Sequence, residues 1–104
     1  MKRVVVTGIG IVSSIGNNRN EVLDTIINQK SRIEFHQEFA DLEFRSHVCG
    51  TITADIKELI PRKHLRFMGD GSAYSYISMA ESIEDAGLVE KNITSQKTGL
   101  IIGS

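Results

Sequence analysis

The sequence predicts an α/β fold from three features. Val4-Val5-Val6 is a β-branched apolar run, Leu100-Ile101-Ile102 is a second one, and the residues between them carry helix-period patterns. Short continuous apolar runs fit strands buried on both faces, as in a parallel sheet covered by helices. After the first run, Gly8 and Gly10 let the backbone turn sharply or lie close to another element. Strand, glycine segment and helix then read as the opening half of a βαβ unit.

Asn18 followed by Glu21 resembles a capping box, and Val22, Leu23, Ile26 and Ile27 share one helical face, so the spacing predicts a helix over 19–29. Residues 30–44 read as a short strand or an extended surface loop, with Ile33, Phe35 and Phe39 on alternate positions around Gln37. Arg45 to Ile52 reads as a strand ending near Gly50. Pro61 suits the first turn of a helix. Gly69-Asp70-Gly71 ends or bends that helix, and Asp70 is placed to cap the next one. Ala73, Tyr76, Ile77, Ala80 and Ile83 form the apolar face of that next helix, Gly87 stops it, and Ser72, Ser75 and Ser78 suit close packing. Glu81, Glu84, Asp85 and Glu90 fall on its exposed side. Thr98 to Ile102 is the second buried strand, and Gly103-Ser104 begins a turn. Two such strands need both sheet faces covered, more than these helices supply, so the sequence reads as the first part of a larger α/β domain.

Composition narrows the function classes. Of the 104 residues 40% are hydrophobic and 24% charged, which fits a soluble globular chain. A formal net charge of −1 gives no overall field toward nucleic acid or a membrane surface. Cys49 is the single cysteine and cannot form an internal disulfide, which fits a reducing compartment. Met1-Lys2-Arg3 before an apolar run touches the signal-peptide pattern, but Thr7, Gly8 and Gly10 interrupt the run and no small-residue cleavage site follows, so the cytoplasm is expected.

The motifs are mostly negative. Gly8-x-Gly10 lacks the third glycine of a dinucleotide fingerprint, Ser13 standing in its place, and Asp24 comes too early to hold a ribose. Cys49 lies in a strand-like stretch; a Cys49–His47 pair is conceivable, and a packed structural thiol is favoured over it. His36, His47 and His64 have no metal-ligand spacing, and Ser13-Ser14 is not in a nucleophile elbow. No metal or cofactor is expected. The one charged constellation is Arg62, Lys63 and Arg66, at i,i+4 and i,i+3 spacings on one side of a helix, with no acidic residue between Leu59 and Gly69. Read alone it is either a solvated helix face or a site for an anionic partner.

Met1 through Asn18, Arg45-Ser46-His47-Val48, Ile60 through Met68, Asp85-Ala86-Gly87-Leu88 and Gly99 through Ser104 together resemble the β-ketoacyl-acyl carrier protein synthases, and most closely their bacterial elongating branch. The resemblance implies a layered thiolase-like α/β fold, a mixed sheet covered by helices, with residues 1–104 the N-terminal part of the synthase N-terminal domain. It implies acyl-chain extension by decarboxylative Claisen condensation, in a homodimer, with acyl carrier protein as partner. The family's nucleophilic cysteine, two histidines and lysine come after the point reached here, and Cys49, His36, His47 and His64 do not match them, so no catalytic residue is expected in this stretch. Arg62, Lys63 and Arg66 match the family's carrier-docking surface. The competing expectations are a polyketide-type condensing domain, a small non-enzymatic module that binds an acidic protein through its basic helix, and a nucleotide-binding fragment.

Overall fold

Glycine at positions 8 and 10 is required by a helix far along the chain. In the computed structural model, which describes residues 1–103, the segment Gly8-Ile9-Gly10 lies against the helix Asp70–Asp85. A Cβ on Gly10 would overlap the Ser78 carbonyl oxygen, and one on Gly8 would overlap the Ser82 carbonyl oxygen and come within 2.8 Å of the Ala86 Cβ. Between the two glycines, the Ile9 N–H donates to the Asp85 carboxylate at 3.0 Å. Ser78, Ser82 and Ala86 recur at every fourth position, one face of the helix. The serine hydroxyls turn back to their own helix, Ser78 to the Ser75 carbonyl at 3.2 Å and Ser82 to the Met79 carbonyl at 2.9 Å. The face that meets the glycine backbone therefore holds no side chain longer than these and no hydroxyl in need of a partner.

The elements in chain order are α1 (Arg19–Ile27), β1 (Ile33–Phe35), α2 (Gln37–Asp41), β2 (Val48–Gly50), α3 (Ile56–Leu59), α4 (Arg62–Leu65), α5 (Asp70–Asp85) and α6 (Glu90–Ile93). They fall into two compact units, one of residues 11–55 and one of residues 1–10 with 56 onward.

In the unit of residues 11–55, a tight turn joins Ser13 and Gly16 by reciprocal backbone bonds of 2.9 and 3.3 Å. The expected cap follows. The Asn18 side chain accepts from the Glu21 N–H at 3.0 Å, while the Glu21 carboxylate reaches back to the Asn17 N–H at 2.8 Å, one residue earlier than in the standard box. α1 ends at Ile27 rather than 29 because Gln29 takes a left-handed φ of 51° and the Lys30 N–H bonds the Thr25 carbonyl. Its buried residues are Val22 and Thr25, whereas Leu23, Ile26 and Ile27 of the expected apolar face are exposed. β1 and β2 pair antiparallel, with Ile33 opposite Gly50 and Phe35 opposite Val48. The stretch 30–44 thus contains the short strand and also α2, which the sequence reading lacks. α2 is a single turn closed at Glu43 (φ 54°), with the Phe44 N–H on the Phe39 carbonyl and the two rings 5.3 Å apart. That closure supplies what five residues of ordinary helix propensity do not.

In the other unit, α3 packs on α4 and α5, and Ile60 and Ala73 are its buried apolar residues. Ile60, at 1% exposure, gains about 1.5–3 kcal/mol from burial. Pro61 is the residue before the first turn of α4 rather than inside it, and its carbonyl accepts from His64 and Leu65. Asp70 lies in the first turn of α5 and Gly69 holds the cap position, so Asp70 acts on the helix dipole and not as a side-chain cap. Gly87 ends α5 as expected. At φ 65° it lets the Leu88 N–H reach the Ile83 carbonyl and its own N–H reach the Glu84 carbonyl, a complete Schellman closure. Glu90 belongs to α6, whose Asn92 side chain accepts from the Val89 N–H.

Both expected apolar strands are absent. Val4, Val5 and Val6 are 94, 74 and 83% exposed, Leu100, Ile101 and Ile102 are likewise exposed, and neither run is paired. An extended segment becomes a strand only where a neighbour completes its hydrogen-bond ladder, and among the described residues only β1 and β2 form a sheet. Of the α5 apolar face, Ala73 is buried, Ile77 and Ile83 are half-buried, and Tyr76 and Ala80 are exposed. The turn expected at Gly103-Ser104 reaches Ser104, outside the described residues.

The glycines of this unit make opposite predictions. Gly10→Ala should destabilise the protein by about 1–3 kcal/mol through backbone overlap with α5. Gly71→Ala, at a helical position with nothing within 4 Å, should stabilise it by about 0.5–1 kcal/mol. Urea midpoints of the two variants check both signs.

Candidate functional site

Arg62, Lys63 and Arg66 stand on one helical turn. Arg62 and Lys63 open α4, and Arg66 caps it in helical conformation with its N–H on the Arg62 carbonyl at 3.4 Å. The hydrogen bond holds Arg62 and Arg66 one turn apart on one side, as their spacing predicts, although the helix is shorter than the run 61–68 suggests. The turn tightens beyond Leu65, where the Phe67 and Met68 N–H groups bond three residues back at 3.1 and 3.0 Å. All three basic side chains are exposed, and among the described residues no acid pairs with them. His64 faces the Tyr76 ring on α5 at 6.5 Å between centroids. The sequence reading passed over Phe67. It is 79% exposed, and the Arg66 guanidinium lies 4.6 Å from the centre of its ring. The adjacent Arg-Phe pair inside a basic stretch is the signal that could have found it.

The remaining candidates are not brought together. Cys49 is half-buried in β2, its sulfur 3.7 Å from the Thr51 hydroxyl, with Glu34 opposite it on β1. Neither neighbour supplies the positive charge that activates a thiol. The Cys49–His47 pair, conceivable but disfavoured from the sequence, does not form: the His47 ring stands edge-on to Phe35 at 6.1 Å. His36 stacks on Phe39 at 4.5 Å between centroids, with its Nδ1 buried and unpartnered. Among the described residues no three His, Cys, Asp or Glu side chains gather as a metal site, and no helix is long and apolar enough to cross a membrane.

Two hollows accompany these residues. A polar one of about 100 Å³ lies between Ser14, Glu21, Arg32, Glu34 and Thr53. An open apolar groove of about 810 Å³ runs along α5 past Met68, Tyr76, Met79, Ile83, Leu100 and Ile102. Neither holds a nucleophile beside a base. Gly8 and Gly10 do not form a phosphate cradle either, because the helix they abut is α5, met side-on along its length.

Comparison with known proteins agrees with the arrangement of motifs. The family model described as "Beta-ketoacyl synthase, N-terminal domain" matches residues 1–104. The chain is 54% identical over its whole length to "3-oxoacyl-[acyl-carrier-protein] synthase 1" of Haemophilus influenzae, of which it covers 26%. It is 50% identical, again over its whole length and 26% of the relative, to the protein of the same name from Escherichia coli K12. At greater distance, it is 28% identical over 99% of its length to "3-oxoacyl-[acyl-carrier-protein] synthase 2" of Staphylococcus aureus N315, covering 25% of that protein. The chain spans about a quarter of the length of the curated relatives it matches. With the family model matched from the first residue to the last, the chain belongs to the β-ketoacyl synthase N-terminal domain family.

Proposed function

We propose that this chain is the N-terminal part of a 3-oxoacyl-acyl carrier protein synthase of the fatty acid elongating type. The observation that carries the reading is identity of half or more, over every residue of the chain, to relatives bearing that name. In the intact protein an acyl group sits as a thioester on a cysteine beyond these residues. Malonyl-carrier protein loses carbon dioxide by cleavage of its carboxylate–carbon bond. The electron pair left on carbon attacks the acyl carbonyl, the carbon–sulfur bond to cysteine breaks, and the thiol takes up a proton. Histidines stabilise the oxyanions on the way. Residues 1–104 supply scaffold to this chemistry and none of its reacting groups.

The intact protein on this reading is a cytoplasmic homodimer with a layered thiolase-like fold. The exposed runs Val4–Val6 and Leu100–Ile102 support that fold, since a mixed sheet covered by helices gives such runs both hydrogen-bond partners and cover. Arg62, Lys63 and Arg66 dock the acidic carrier protein. Their support is a shared helical turn, exposed side chains and the lack of acidic partners among the described residues. The guanidinium groups suit carboxylates, and the lysine adds a point charge.

Two predictions test the reading. The 1–104 polypeptide, mixed with acyl- and malonyl-carrier protein, should release no carbon dioxide above background. In the intact protein, Cys49→Ala should leave condensation within about twofold of the parent. Turnover by the short polypeptide that disappears with Cys49 would place the nucleophile here and defeat the assignment.

For docking, Arg62→Ala/Lys63→Ala/Arg66→Ala in the intact protein should weaken carrier binding about three- to a hundredfold at low salt, from roughly 0.2–1 kcal/mol per exposed pair. The loss should appear chiefly in the association rate and shrink toward 1 M salt, where the Debye length is about 3 Å. Carrier binding as tight as the parent's at low salt would make the turn an ordinary solvated face.

A further inference from the structure

Phe67 is exposed in a different setting from the two apolar runs of its unit. Val4–Val6 and Leu100–Ile102 are continuous runs of the kind a sheet interior takes up. Phe67 instead ends the basic stretch Arg62-Lys63-His64-Leu65-Arg66, and the Arg66 guanidinium lies over its ring, 4.6 Å from its centre. The guanidinium keeps its charge at any physiological pH. Drawing the ring into an apolar interior would draw Arg66 with it and strip its water, so the pair is suited to the surface. The geometry also leaves Arg66 ready for use. A guanidinium held over a ring can still offer N–H groups to a carboxylate. The outer face of the ring stays free for an apolar contact beside that charge pair.

We propose that Phe67 is the apolar anchor of the docking surface: it seats an apolar side chain lying among the carboxylates of the carrier protein and holds Arg66 in the orientation that pairs with one of them. This rests on the carrier reading above. Aromatic and arginine residues together are the side chains that most often dominate the centre of a protein interface. Presetting the Arg66 rotamer lowers the ordering cost of the charge pair. A stacked aromatic beside basic residues also suits single-stranded nucleic acid, but the net charge of −1 gives no field to draw it in, and an acidic protein is favoured.

The test uses the intact protein and acyl carrier protein, with Phe67→Ala, Phe67→Leu and the triple basic-to-alanine variant measured for carrier affinity at several salt concentrations and for thermal stability. Phe67→Ala should weaken binding about three- to thirtyfold, mostly through faster dissociation, with a salt dependence between those of the parent and the triple variant and the melting temperature of the parent. Phe67→Leu, which keeps an apolar side chain, should stay within about threefold of the parent. If Phe67→Ala binds like the parent while the triple variant binds weakly, the anchor is overturned and the carrier reading stands. If both bind like the parent, both are overturned. A melting temperature lowered in both single variants would place the ring in the interior and overturn the anchor. Tighter binding of oligo-dT than of carrier, lost in Phe67→Ala, would assign the ring to nucleic acid instead.

Discussion

The approach of Gly8-Ile9-Gly10 to α5 is the contact on which the unit built around that helix depends. Two backbones come together there at a separation no side chain allows, and the requirement falls on both partners. Positions 8 and 10 must lack a Cβ, and Ser78, Ser82 and Ala86 must be small. The Ile9 N–H, between the two glycines, is tied to the helix by the Asp85 carboxylate. Dispersion between close backbones replaces the large side-chain core that this unit lacks, since Ile60 and Ala73 are its only buried apolar residues among those described. The glycine pair that superficially suggests a nucleotide site thus has a packing role that accounts for both residues.

Helix ends carry much of the remaining local order. Gln29, Glu43 and Gly87 each reverse the chain through a left-handed φ, and in each case the next N–H reaches a carbonyl five residues back. Glycine takes that conformation without strain, whereas glutamine and glutamate do not. At Glu43 the contact between Phe39 and Phe44 offsets the strain, and it fixes the connection between β1 and β2. A short helix can therefore persist where intrinsic propensity alone would leave a loop.

What the sequence made legible follows from this. The Asn18 cap, the Gly87 stop and the long helix between Asp70 and Asp85 rest on signals within a few residues, and they stand in the structure. α2, α3 and α6 were missed because one-turn helices have too few residues to show a period. The runs at Val4 and Leu100 were read correctly as apolar and incorrectly as strands within this chain. Pattern reports what a segment can bury, while pairing depends on a neighbour that the described residues do not provide. The apolar face assigned to α1 failed for the same reason, since only Val22 of its four residues is covered.

The basic turn was the legible part of the candidate site, because charge spacing survives a shortened helix as long as one hydrogen bond holds the turn. What the spacing could not reveal was orientation. Arg62 and Arg66 occupy the same side, but among the described residues only Arg66 has its guanidinium over an aromatic ring. The two arginines are therefore unequal. In the proposed docking, Arg62 would act through long-range attraction that any nearby cation could supply, whereas a guanidinium placed over a ring would offer donors that lysine could not reproduce. If the surface takes an acidic partner as proposed, selectivity would be concentrated at Arg66 and the ring beside it, with general attraction shared by all three charges.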